Sequence, residues 1–212
     1  MAIKAVIFDL WGTLIENGDR SPMKQSYDTV RLRMSFGEFA SRFEKATMIK
    51  HFKDQTECFS AMCDEFKIPQ NKELIDALIG IWNKNKLLAK PYPESEETLK
   101  ELKSKKIKLA IISNTFKPSV EGILEKFGFE KYFDIIDYSC DTGMLKTEKD
   151  SFEHILKNLK VTKDEAIMVG DSTETDILGA RNAGIKGILV DRRDKRQFEP
   201  KVLNLKDVMK FL

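Results

Sequence analysis

From Pro93 onward, short continuous apolar runs alternate with segments whose apolar residues recur every three or four positions, and few folds accommodate that alternation. The runs Leu109-Ala110-Ile111-Ile112, Ala166-Ile167-Met168-Val169 and Gly187 to Val190 predict buried strands, with a shorter one near Phe133 to Ile136. Between them, helices are predicted up to about Lys105, around Val120 to Phe127, through Phe152 to Leu159 and from Ile177 to Ala183. Ala5 to Phe8 is a further apolar run that leads into an acid and a glycine-threonine turn, which predicts a buried parallel strand followed by a functional loop. The pattern predicts an α/β fold with a doubly wound parallel sheet, whose ligands gather at the carboxyl ends of the strands.

From about Gly18 to Lys90 strand signals vanish and only helical periodicity remains. Ser35 followed by Glu38 resembles a capping box, after which Phe36, Phe39, Phe43 and Ala46 mark one helix face. Asn71 can cap the next helix, whose Ile75, Leu78, Ile79 and Trp82 share one stripe. At 212 residues the chain exceeds one common domain and falls short of two. The expected division is therefore a core of 1–16 and 91–212 with an all-helical insertion of 17–90.

Composition bounds the function classes. A 42% hydrophobic and 33% charged chain is ordinary for a globular protein, and no stretch approaches the ~20 apolar residues that span a bilayer. The net charge of +2 does not imply a nucleic-acid partner. The basic stretch Lys103 to Lys108 reads as the solvated end of a helix leading into a strand, and Arg31, Arg33 and Arg42 read as surface charge. Cys58, Cys63 and Cys140 have no metal-ligand spacing and read as free thiols, and the N-terminus lacks a signal-peptide cleavage site, so a cytoplasmic location is expected. His51 and His154 fall in predicted helices with no matching acid or nucleophile in the nearby sequence, and no catalytic role is assigned to them.

Polar groups cluster at three predicted strand ends: Asp9 with Thr13, then Ser113-Asn114-Thr115, then Gly170-Asp171-Ser172 with Asp176, and Lys146 lies between the last two. A parallel sheet would set Asp9 beside Asp171, and two adjacent carboxylates call for a cation to relieve their repulsion. Carboxylates, a backbone carbonyl and waters suit Mg²⁺. Singly, each of these residues could be a cap, a turn or a solvated side chain.

Taken together, FDLWGTLI, IISNT, the lysine in GMLKTEKDSF and VGDSTETDILGARNAG resemble, in order and spacing, the four motifs of the haloacid dehalogenase superfamily. The resemblance covers 5–16 and about 91–193, and it implies a Rossmann-like core hydrolase with 17–90 as the mobile cap. By that resemblance Asp9 is the nucleophile forming an aspartyl intermediate, Ser113 donates a hydrogen bond to the transferred group, and Lys146 steadies the charge of both. Thr13 and Asn114 fall among the substrate-binding positions. Asp9, Asp171, Asp176 and the Trp11 carbonyl would hold or order the Mg²⁺, and the substrate would be a small phosphorylated molecule.

Phosphatases of this superfamily usually carry a second aspartate two positions after the nucleophile, which protonates the leaving alkoxide and then activates water. Here Trp11 stands there, and an indole can do neither. Losing such a group costs ~10² to 10⁴ in rate, about 3 to 5 kcal/mol of barrier. The aromatic residue resembles instead the 2-haloacid dehalogenase branch, where halide leaves without a proton and no metal is needed. Asp171 and Asp176 oppose that alternative, because an unneutralised Asp171 near Asp9 would repel a carboxylate substrate. A third reading is a fold member that binds a phosphorylated ligand or a protein partner without turnover.

Overall fold

A computed structural model describes residues 2–18 and 20–212; positions 1 and 19 lie outside it. The strands are β1 (Ala5–Phe8), β2 (Lys108–Ser113), β3 (Ile135–Tyr138), β4 (Ala166–Gly170), β5 (Lys186–Val190) and β6 (Lys201–Val202). They pair in parallel in one six-stranded sheet of order β3-β2-β1-β4-β5-β6. The first five lie within two residues of their predicted positions, whereas β6, two residues long, is too short to leave a periodic signal.

Alternate residues of the central strands feed two separate cores. Val6, Phe8, Leu109, Ile111, Ile167 and Val169 face one layer, with Leu99 and Leu102 from α5 (Ser95–Ser104) and with Leu205 and Val208 from the C-terminal turns. Ala5, Ile7, Ala110, Ile112, Ala166 and Met168 face the other, against Phe152, Ile155 and Leu159. A sheet covered on both faces explains why its strands read as continuous apolar runs rather than alternating ones.

Helices α1 (Pro22–Val30), α2 (Phe36–Thr47), α3 (Gln55–Phe66) and α4 (Lys72–Leu88) occupy the predicted insertion. The Ser35 hydroxyl accepts from Glu38 N at 3.2 Å, and Asn71 Oδ1 accepts from Leu74 N at 2.8 Å, so both residues cap their helices, Ser35 through one half of the expected capping box. Their core joins Phe39, Phe43, Phe59, Met62, Leu78 and Trp82, while Phe36, at the start of the predicted stripe, is 40% exposed and meets Tyr27 edge-on. Phe116, which follows β2, is buried in this same cluster, its ring 4.8 Å from that of Trp82.

Past β2 come α6 (Lys117–Val120), α7 (Ile123–Lys126), α8 (Ser139–Thr142), α9 (Lys149–Leu159) and α10 (Leu178–Asn182). The helix predicted over Val120 to Phe127 is broken, because Gly122 takes φ 73° between α6 and α7. The helix predicted from Ile177 begins earlier, with a π turn at Thr173–Ile177. Both histidines have acid partners brought from a distance. His51 lies beyond α2 rather than in a helix and its Nε2 is 2.9 Å from Asp141, while His154 Nδ1 is 2.8 Å from Asp137. Cys58, Cys63 and Cys140 are buried free thiols, and no helix of the described residues is long and apolar enough to cross a membrane.

Candidate active site

The chain leaves β1 toward β2 on one side and reaches β4 on the other, so a crevice opens at the carboxyl end of β1, where the strand order reverses. Asp9 is the first residue beyond β1, and its amide donates to Val169 O at 2.9 Å, extending the ladder to β4. Phe8 pairs with Val169, so Asp9 and Asp171, each just past its strand, become neighbours. Gly12 completes the turn. It holds φ +86°, and a Cβ there would run into the carboxylate of Asp171, so the close approach of the two loops needs a glycine.

Asp9, 4% exposed, accepts from Thr13 Oγ1 at 3.1 Å and from Lys146 Nζ at 2.5 Å. The same ammonium donates to Asp176 Oδ1 at 2.6 Å, and Asp176 Oδ2 accepts from Ser172 N at 3.0 Å. Asp176 sits in the π turn, which carries its carboxylate back beneath the crevice, a local departure often found at functional sites. Lys146 reaches the centre because its loop lies tightly on α10: a Cβ on Gly179 would collide with the Lys146 carbonyl. Asn114 Oδ1 fixes that loop by accepting from Lys146 N at 2.9 Å.

Carboxylate oxygens of Asp9, Asp171 and Asp176 lie within 4.8 Å of one another. Burial pushes the Asp9 carboxyl up to about 6, with Lys146 pulling it down and Asp176 pushing further up. Burial, then the charges of Asp9 and Asp176, lift Asp171 to about 8. Burial works against the Lys146 ammonium, but the two carboxylates outweigh it and hold its pKa above the ordinary lysine value. Three acids thus face one ammonium, a set of hard oxygen donors with negative charge in excess, and this fits a hard divalent cation.

The sequence-derived residues are therefore gathered in one place: Asp9, Thr13, Lys146, Asp171 and Asp176 by contact or close approach, Ser113 as the buried last residue of β2, and Asn114 beside Lys146. Trp11 is half-buried and packs against the first core layer. Two further groups were not anticipated. Arg192 donates to Thr13 O at 2.9 Å, pairs with Glu94 and lies 3.6 Å from the centre of the Tyr92 ring, bracing the loop after β1. Glu44, on inserted helix α2, accepts from Asn114 Nδ2 at 2.8 Å. Periodicity gave no signal for it, since Glu44 stands beside the stripe of Phe36, Phe39, Phe43 and Ala46 without belonging to it.

The sequence matches the haloacid dehalogenase-like hydrolase family over residues 3–184. It is 30% identical to pyrophosphatase PpaX of Halalkalibacterium halodurans over 94% of this chain and 91% of that protein. Among solved structures, a HAD phosphatase from Thermococcus onnurineus superposes with a TM-score of 0.65 at 24% identity, covering 99% of this chain and 97% of that one. A 2-haloacid dehalogenase from Pseudomonas syringae pv. Tomato gives 0.66 at 20% identity, covering 98% and 97%. These two share the fold, and the sequence match carries the assignment: the chain belongs to the haloacid dehalogenase-like hydrolases.

Proposed function

We propose that the protein is a Mg²⁺-dependent hydrolase of a small phosphorylated substrate, working through an aspartyl-phosphate on Asp9. The observation that carries this reading is the gathering of the Asp9, Asp171 and Asp176 carboxylates within 4.8 Å of one another around a site where Lys146 bonds only Asp9 and Asp176 of the three, with negative charge left over. The PpaX relative, named a pyrophosphatase, supports a phosphoryl substrate. Mg²⁺, held by Asp9, Asp171, the Trp11 carbonyl and, directly or through water, Asp176, would neutralise phosphoryl charge.

In this reading an Asp9 oxygen attacks phosphorus while Lys146 keeps that carboxylate ionised and aimed. Ser113 donates to the phosphoryl oxygens, and Thr13 and Asn114 shape their surroundings. Water then releases phosphate and regenerates Asp9. The inserted helices, 17–90, act as a cap over the core of 1–16 and 91–212, with Phe116 as the side chain that seats them.

The test is p-nitrophenyl phosphate with and without Mg²⁺. Metal-dependent release is expected, and Asp9→Asn is expected to lower kcat by about 10⁴-fold or more with the thermal midpoint retained. Trp11 favours a second reading, halide displacement, which requires halide release from 2-chloropropionate without metal. Inactivity on both substrates would leave ligand binding without turnover.

A further inference from the structure

We propose that the Glu44 carboxyl, brought to the site by α2, is the general acid and base of the reaction, filling the role that position 11 cannot. The inference rests on the phosphoryl-transfer reading above. In-line displacement puts the leaving oxygen opposite Asp9. Glu44 is the acid that the inserted helices bring to the polar groups of the site, within reach of the charges of Lys146, Asp176 and Asp9. Its Oε2 accepts from Asn114 Nδ2 at 2.8 Å, and Asn114 Oδ1 accepts from Lys146 N at 2.9 Å, so a two-bond chain ties Glu44 to the residue whose Nζ lies 2.5 Å from Asp9.

A second line is position. Glu44 is half-buried, beside the buried Phe43 of α2, and its carboxylate is turned to Asn114 just past β2 rather than to solvent, a place where a carboxylate is costly unless it has a partner or a task. The groups that face it are Lys146 from the loop before α9, Asn114 after β2, Asp176 in the π turn and Asp9 after β1. Burial pushes its carboxyl up to about 7, while Lys146 and the Asn114 hydrogen bond hold it down and the two aspartates add to the rise. A carboxyl titrating there can both donate and accept a proton at neutral pH.

The steps balance. As an Asp9 oxygen bonds to phosphorus, the P–O bond to the leaving group breaks, its electron pair stays on that oxygen, and the Glu44 carboxyl supplies the proton that makes it an alcohol. The Glu44 carboxylate then takes a proton from water as the water oxygen attacks phosphorus. The P–O bond to Asp9 breaks, phosphate departs and both carboxyl groups return to their starting states.

The test compares p-nitrophenyl phosphate, whose leaving group needs no proton, with n-propyl phosphate, whose leaving group does, using wild type, Glu44→Gln and the double variant Glu44→Gln with Trp11→Asp, all with Mg²⁺. Glu44→Gln is expected to lower kcat on propyl phosphate by about 10² to 10⁴-fold. The first burst of nitrophenolate should stay within about threefold of wild type while later turnovers slow, since only the hydrolytic step needs the base. In wild type, kcat/KM on propyl phosphate should fall above about pH 7, a limb absent from Glu44→Gln. The added aspartate at position 11 should restore propyl phosphate turnover. Undiminished propyl phosphate turnover in Glu44→Gln, or equal loss of the burst and of later turnover, would overturn the assignment of Glu44. A wild type inactive on both esters would instead overturn phosphoryl transfer itself.

Discussion

Three carboxylates around one ammonium are a poor arrangement without a further cation, and this has a measurable sign. Asp9 and Asp171 hold their protons to about 6 and about 8, against an ordinary aspartate value of 3.8. Between those values the native state binds more protons than the unfolded chain, so the metal-free protein should lose stability as pH rises from about 4 to 8. The proposed Mg²⁺ would bind the ionised carboxylates in competition with protons, so it should raise the thermal midpoint more at pH 8 than at pH 5. Thermal scans at the two pH values, with and without Mg²⁺, check this; an equal Mg²⁺ effect at both would count against the three-acid site. Asp9 and Asp171 were legible in the sequence because each ends an apolar run, and Asp176 because it follows Asp171 by five positions. Glu44 was not read as a site residue, because it lies beside the apolar stripe of α2 and its partner Asn114 is 70 residues away in sequence.

Among the elements, the turn after β1 and the start of α10 decide whether the site closes. Gly12 combines a left-handed backbone with the absence of a Cβ where the Asp171 carboxylate stands. Gly12→Ala should cost roughly 1–2 kcal/mol from backbone conformation alone, and should also abolish the Mg²⁺-induced rise in thermal midpoint by displacing Asp171. Retention of that rise would mean that Asp171 is not needed for the metal. Strands β1 to β5 and the caps at Ser35 and Asn71 could be read locally, since run length and hydrogen-bonding side chains act within a few residues. The π turn and the contact of Gly179 with the Lys146 carbonyl could not, because both are set by chain segments packing from a distance. The same holds for the acid partners of His51 and His154.

For the whole molecule, the doubly wound sheet gathers residues 9, 113, 146, 171 and 176 at the carboxyl end of its strands, and the inserted helices meet the sheet domain through Phe116. Phe116 is 1% exposed and contacts Phe59 and Trp82. Phe116→Ala should cost about 3–5 kcal/mol in denaturant unfolding by opening a cavity between helices and sheet, and a loss under about 1 kcal/mol would mean that the two parts are not joined there. The order of elements and the convergence of the strand-end residues were readable from a single sequence, whereas the meeting of helices and sheet, which brings Glu44 to the site, was not, since no local pattern encodes which apolar face covers which. The covalent step at Asp9 is tested most directly by acid-quenching the protein during turnover of radiolabelled acetyl phosphate, with and without Mg²⁺, and mapping the labelled peptide. The expected result is a hydroxylamine-labile phosphate on Asp9 that forms only with Mg²⁺; turnover with no label on Asp9, or equal labelling without the metal, would contradict it.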